Sequence, residues 1–282
     1  MNIIEAGFIG FIQAVTEFLP VSSSGHLATI ENIIGLGERH DPGFVMFLNV
    51  LVHFATFVVT ILYYRKDILA IFSGLLQKND ERRRKTWQLV IALVVGTIPA
   101  GIVGLSLKSV IEASFSSMLV VGGGFLLTSA FLTITSRLHR MDRDNDIDAA
   151  VTTIADNPPT VKQALIVGCL QAVAILPGIS RSGSTICSGL LTGLPADIAV
   201  RFSFLLSLPA VLGAAILESR GIGGIQSQFV LPLLVAFSSA VICGWFAMAL
   251  LVRMVRKLQL TPFAWYTAGL GIFVMVREVF FL

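Results

Sequence analysis

The feature that most limits what this chain can fold into is a series of apolar stretches, each long enough to cross a bilayer and together too many for any soluble core. Residues 44–63, 87–107, 118–136, 198–217 and 229–252 each approach the ~20 residues a helix needs to cross about 30 Å of hydrocarbon. A sixth stretch, 263–276, reaches that length by running on to residue 282, with Arg277 and Glu278 at the interface. Charged residues make up 13% of the chain and hydrophobic ones 55%, whereas soluble domains carry about 25% charge. The expected fold is an all-α polytopic membrane protein with six transmembrane helices.

Charge placement sets the expected orientation, because loops on the cytoplasmic side collect Lys and Arg. Residues 64–86 hold Arg65, Lys66, Lys78, Arg82, Arg83, Arg84 and Lys85; residues 137–162 hold Arg137, Arg140, Arg143 and Lys162; Arg253, Arg256 and Lys257 follow the fifth stretch. The opposite side keeps only Arg39, Lys108, Arg220 and Arg277. The three basic segments are therefore expected inside and the C-terminus outside. Arg201, near the start of the fourth stretch, reads as an interfacial anchor. The basic residues thus orient the chain, and the net charge of +3 gives no reason to expect a nucleic-acid partner. Residues 1–7 carry Glu5 and no basic residue, so no cleaved signal is expected there. Cys169, Cys187 and Cys243 lack any CxxC spacing and read as small packing residues.

Two segments fit no simple span. Residues 3–38 contain an apolar helical run broken by Pro20 and a Ser-rich turn; residues 161–196 repeat that plan around Pro177 and Gly178. Each half-run is too short to cross alone, and backbone freed at membrane depth must be satisfied by protein or a wet cavity. Both read as re-entrant helical hairpins. Without gaps, GFIQAVTEFLPVSSSGH at 10–26 aligns with GCLQAVAILPGISRSGS at 168–184, matching at Gly, Gln, Ala, Val, Ser, Ser and Gly. The expected organisation is one membrane domain of two repeats, 1–160 and 161–282, each a hairpin plus three spans. An odd number of spans inverts the second repeat against the first. Inverted repeats with broken helices meeting near the midplane also describe many transporters.

Polar groups inside apolar hairpins point to function, since burying them is costly. The first hairpin supplies Gln13, Glu17, Ser22, Ser23, Ser24 and His26; the second supplies Gln171, Ser180, Arg181, Ser182, Ser184 and Thr185. Together they suit phosphoryl transfer. Arg181 offers a planar fork of donors for phosphate oxygens. Turns at Gly25 and Gly183 let backbone N–H groups approach an anion at a helix start. Ser23 is a candidate nucleophile, with His26 three residues on as its base. Glu17, with Gln13 one turn earlier on the same helix face, is placed to hold a divalent cation, Mg²⁺ or Ca²⁺, on a diphosphate. The blander reading makes the Ser-Gly turns mere caps and His53, inside a span, a structural hydrogen-bonding group.

EFLPVSSSGH and PGISRSGST resemble the two signature motifs of the undecaprenyl-pyrophosphate phosphatases, the bacitracin-resistance proteins, and the resemblance runs over essentially the whole chain. It implies hydrolysis of undecaprenyl diphosphate to the monophosphate, recycling the carrier for peptidoglycan synthesis. It also implies a multi-pass protein of the bacterial inner membrane; the orientation expected from the basic residues opens the site to the periplasmic side. By that resemblance Glu17, Ser23, His26, Arg181 and Thr185 are active-site residues, the first four catalytic. From the turns themselves, Ser22, Ser24, Gly25, Ser180, Ser182 and Gly183 are expected to contact substrate together with Thr185. The family usually carries Glu-x-x-x-Glu where this chain has Gln13 and Glu17. Either Ser23 or His26 serves as nucleophile on this reading. The expected partners are the lipid diphosphate and membrane lipid, with a homodimer admissible. The rival function is a polyprenyl-phosphate transporter or flippase using the same pocket.

Overall fold

The computed structural model describes residues 1–78, 80–139, 153–218 and 227–281. Among these residues there are thirteen α-helices and no strand. The chain opens with α1 (Ile3–Phe18), α2 (Ser23–Ile34) and the short α3 (Leu36–Arg39). A reciprocal cap between Asn2 and Glu5 starts α1. Leu19 ends it in an extended conformation, because the residue before a proline is pushed out of the helical region. Next come α4 (Pro42–Tyr63), α5 (Arg65–Leu75), α6 (Asp80–Ser106), α7 (Lys108–Phe115) and α8 (Met118–His139). The remainder runs α9 (Val161–Val173), α10 (Arg181–Leu191), α11 (Ala196–Glu218), α12 (Val230–Arg256) and α13 (Thr261–Phe281).

Six of these, α4, α6, α8, α11, α12 and α13, are long and apolar enough to cross a membrane. Their outer faces leave Phe54, Ile98, Leu127, Phe246 and Phe273 exposed, surface that suits acyl chains and not water. The chain is an all-α polytopic membrane protein, and the sixth expected span forms a full helix through Arg277 and Glu278. At 1.5 Å per residue, α1 (16 residues), α2 (12), α9 (13) and α10 (11) each fall short of a crossing.

Two expectations change. Residues 64–86 are not a plain loop: α5 occupies half of them, and Arg82, Arg83, Arg84 and Lys85 lie in the first turns of α6. Asp80 and Glu81 open that helix, where acidic groups favour the N-terminus, and Glu81 pairs with Lys85 at 3.2 Å. Arg201 is not a free anchor. Its Nη1 holds both oxygens of the buried Asp67 at 2.8 and 2.7 Å, and its Nε reaches Asp197 at 2.7 Å. Asp197 in turn accepts from Arg256 Nη2 at 2.6 Å, and Asp67 also accepts the Ile154 N–H. Asp67 points inward because a cation waits there, which its place on the amphipathic α5 does not reveal. Arg140, Arg143 and Arg220 lie outside the described residues.

The packing is an exchange between halves. The most extensive helix contacts join α1 to α12, α9 to α6, and α8 to α13. Glycine makes the first two possible. A Cβ at Gly10 would lie 2.1 Å from the Ala236 carbonyl oxygen, and one at Gly168 would lie 2.2 Å from that of Gly96. With no hydrophobic drive between helices in lipid, such close backbone approach is what van der Waals packing rewards.

Candidate active site

The two helix breaks face each other. Arg181, the first residue of α10, places Nη2 on Glu17 Oε1 from the other half of the chain. Ser182 Oγ donates to the Leu19 carbonyl at 3.2 Å. On α8, Thr128 accepts the Ser180 N–H at 2.8 Å and donates to the Gly178 carbonyl at 2.9 Å, fixing the second turn. Glu17, Ser22, Ser23, Ser24, Ser180, Arg181 and Ser182, with Thr16, Ala174 and Ile179, line a small, partly open concavity.

Both turns are built alike. Ser22 Oγ accepts the Gly25 N–H at 3.3 Å, and Ser180 Oγ accepts the Gly183 N–H at 3.0 Å. These are helix N-caps, which satisfy donors that would otherwise be orphaned. The N–H groups of Gly25 and Gly183 themselves are therefore engaged by these caps. The glycines serve close approach instead: a Cβ on Gly25 would fall 2.8 Å from Gly178 Cα. Ser22 holds φ +69°, a value L-residues rarely adopt.

Glu17 is the hub. Its Oε2 accepts from Ser23 Oγ at 2.5 Å and from Gln13 Nε2 at 3.2 Å, and His53 Nε2 stands 3.8 Å away. Ser23 is thus paired with a carboxylate and not, as the spacing suggested, with His26. The reason is local. His26 Nδ1 donates to the Ser22 carbonyl one turn back at 2.7 Å, which swings Nε2 away to Tyr266 Oη, also at 2.7 Å. His26 does not line the concavity. Neither does Thr185, whose Oγ1 bonds back to the Arg181 carbonyl at 2.7 Å and lies 2.5 Å from Ser203 Oγ, tying α10 to α11. His53 donates through Nδ1 to the Asn49 carbonyl at 2.8 Å, in keeping with its structural reading.

Several polar atoms around the breaks remain uncommitted. Gln13 Oε1, Arg181 Nη1, Ser184 Oγ and both amide atoms of Gln171 are buried with no hydrogen-bond partner. An unmet donor or acceptor of this kind costs about 1–3 kcal/mol, so each calls for a partner from water or a ligand. Hard cations take oxygen ligands, and Gln13 Oε1 beside Glu17 fits part of such a set. Among the described residues no three His, Cys, Asp or Glu side chains converge as a metal cluster, so other oxygens, from hydroxyls, backbone, substrate or water, would complete the set. Thr128 and Tyr266 were missed from sequence. Each sits in a long apolar helix, where a threonine reads as packing and a tyrosine as part of the interfacial belt.

Comparison with known proteins points to one family. The model of the family described as bacitracin resistance protein BacA matches residues 6–273. A protein of Trichlorobacter lovleyi named undecaprenyl-diphosphatase is 38% identical, covering 98% of this chain and 97% of its own. Proteins of the same name from Carboxydothermus hydrogenoformans (36% identical, 99% of this chain and 98% of the relative) and Bacteroides thetaiotaomicron (37%, 99% and 100%) align equally fully. With its two motifs meeting at one concavity and a match along nearly its whole length, the chain belongs to the BacA bacitracin-resistance family.

Proposed function

We propose that this chain is an integral-membrane phosphatase that hydrolyses undecaprenyl diphosphate to undecaprenyl phosphate and inorganic phosphate. The observation that carries the reading is the contact of Ser23 Oγ with Glu17 Oε2, on a carboxylate that also meets Arg181 from the opposing hairpin. Ser23 Oγ attacks the terminal phosphorus while its proton passes to Glu17. The bond from that phosphorus to the bridging oxygen breaks, and the lipid monophosphate leaves. Water then attacks the phosphoserine and restores the serine hydroxyl. The terminal phosphate competes with Glu17 for the Arg181 fork, whose free Nη1 is ready to donate. Such charge stabilisation is the largest single contribution in many enzymes. Ser22, Ser24, Ser180 and Ser182 offer hydroxyls along the concavity. A divalent cation held through Glu17 and Gln13 Oε1 would supply charge neutralisation on the diphosphate. His26 as nucleophile is disfavoured, because both ring nitrogens are engaged away from the concavity.

We further infer that residues 1–160 and 161–282 are inverted repeats in the bacterial inner membrane, with the concavity opening outward. The exchanged contacts of α1 and α9, and the paired roles of Gly10 and Gly168, support the repeat. The excess of Lys and Arg in residues 64–86, 137–162 and 253–257 supports the orientation. The prenyl tail lies between helices, where apolar walls already face lipid.

The test is phosphate release by purified protein given undecaprenyl diphosphate and Mg²⁺ or Ca²⁺. One inorganic phosphate per undecaprenyl phosphate formed is expected. Binding of the lipid without phosphate release would indicate the carrier function instead.

A further inference from the structure

We propose that Tyr266 is a positioning residue for this reaction, acting through His26 on the strained turn that aims Ser23. The inference rests on the phosphatase reading of the same site. Its starting point is a proton count on one imidazole. The Ser22 carbonyl can only accept, so His26 Nδ1 carries the proton in their 2.7 Å bond. A neutral ring then leaves Nε2 as an acceptor, and the Tyr266 hydroxyl 2.7 Å away is its donor. Tyr266 comes from α13, 240 positions further along the chain. Its ring lies nearly parallel to the imidazole, 9° between planes and 5.6 Å between centroids, while Phe125 meets the imidazole edge-on at 5.2 Å. The imidazole is held by a donor at one nitrogen, an acceptor at the other and aromatic rings about it.

What that ring holds is the Ser22 carbonyl. Ser22 sits at φ +69° and ψ 98°, outside the helical and extended wells, and residues of this kind persist only where their surroundings over-determine them. Here the carbonyl receives both the His26 backbone N–H at 3.2 Å and the His26 ring N–H. The adjoining peptide leads directly into Ser23, whose Oγ must sit on Glu17 at 2.5 Å. Tyr266 therefore reaches Ser23 by way of His26 and Ser22 without touching the concavity itself. A displacement of about 1 Å in such a nucleophile can cost a large factor in rate while leaving binding groups in place.

The experiment is a double-mutant cycle on the purified full-length protein, measuring phosphate release from undecaprenyl diphosphate at saturating cation. Tyr266→Phe keeps the ring against His26 and removes only the hydroxyl. It should lower kcat about five- to tenfold, the size of one neutral hydrogen bond, with KM within about twofold and a melting temperature close to that of the parent. His26→Asn keeps an N–H near the Ser22 carbonyl and discards the acceptor for Tyr266. In that background Tyr266→Phe should change kcat by less than about twofold. Equal losses in both backgrounds would overturn the proposal, as would a Tyr266→Phe enzyme with parental kcat. A fall in KM affinity alone would also overturn it, placing Tyr266 in substrate binding. A parent protein that releases no phosphate at all refutes the phosphatase reading itself, a separate outcome.

Discussion

Gln13 shows how much one side chain decides at this site. It gives its amide nitrogen to Glu17 and keeps its oxygen unpartnered in a fully buried position. A carboxylate and an amide hold a hard cation less tightly than two carboxylates, because affinity follows ligand charge. Gln13→Glu should therefore lower the Mg²⁺ or Ca²⁺ concentration giving half-maximal activity, and Glu17→Gln should raise it steeply or abolish turnover. An unchanged half-maximal concentration in an active Gln13→Glu protein would remove residue 13 from the cation's ligands. The motif residues were legible in sequence because Pro, Ser and Gly mark a break where apolar helix cannot continue. Their pairings were less so. Spacing suggested His26 for Ser23, yet a histidine at the fourth position after Ser22 on a helix falls back onto that residue's carbonyl. What it meets on its far side is set by α13, which no local pattern specifies.

At the scale of elements, the hydrophobic lengths gave all six spans, and short half-runs around prolines gave the two helix pairs. The aligned Gly10 and Gly168 were visible as matches but not as contacts; their reason is the backbone of α12 and α6 lying against them. Gly10→Ala and Gly168→Ala should each force these helices apart and lower the melting temperature in detergent by several degrees or more, since overpacking costs about 1–3 kcal/mol. Gly213→Ala, with no atom within 4 Å of the added Cβ, should melt like the parent. A neutral Gly10→Ala would contradict the close approach. Helices α5 and α7 escaped the sequence reading, because charge counting treats any polar stretch as loop.

For the whole molecule, ionic pairs join segments far apart in sequence. Asp67, Arg201, Asp197 and Arg256 link α5, α11 and α12. Removing one partner from a buried pair leaves the other charge uncompensated, at about 3–5 kcal/mol, so Asp67→Ala should destabilise the protein far more than Lys108→Ala on the exposed α7. Orientation is tested by single cysteines after replacing Cys169, Cys187 and Cys243. In intact cells, a cysteine at Ser116 should react with an impermeant thiol reagent and one at Arg83 should not; the reverse pattern would invert the topology. The central claim is that Ser23, held on Glu17 and faced by Arg181, performs the chemistry. Its most direct test is the rate of phosphate release from undecaprenyl diphosphate by Ser23→Ala, measured beside the parent protein. Loss of at least about 10²-fold in kcat from a folded protein is the predicted result; release at the parental rate would contradict the account.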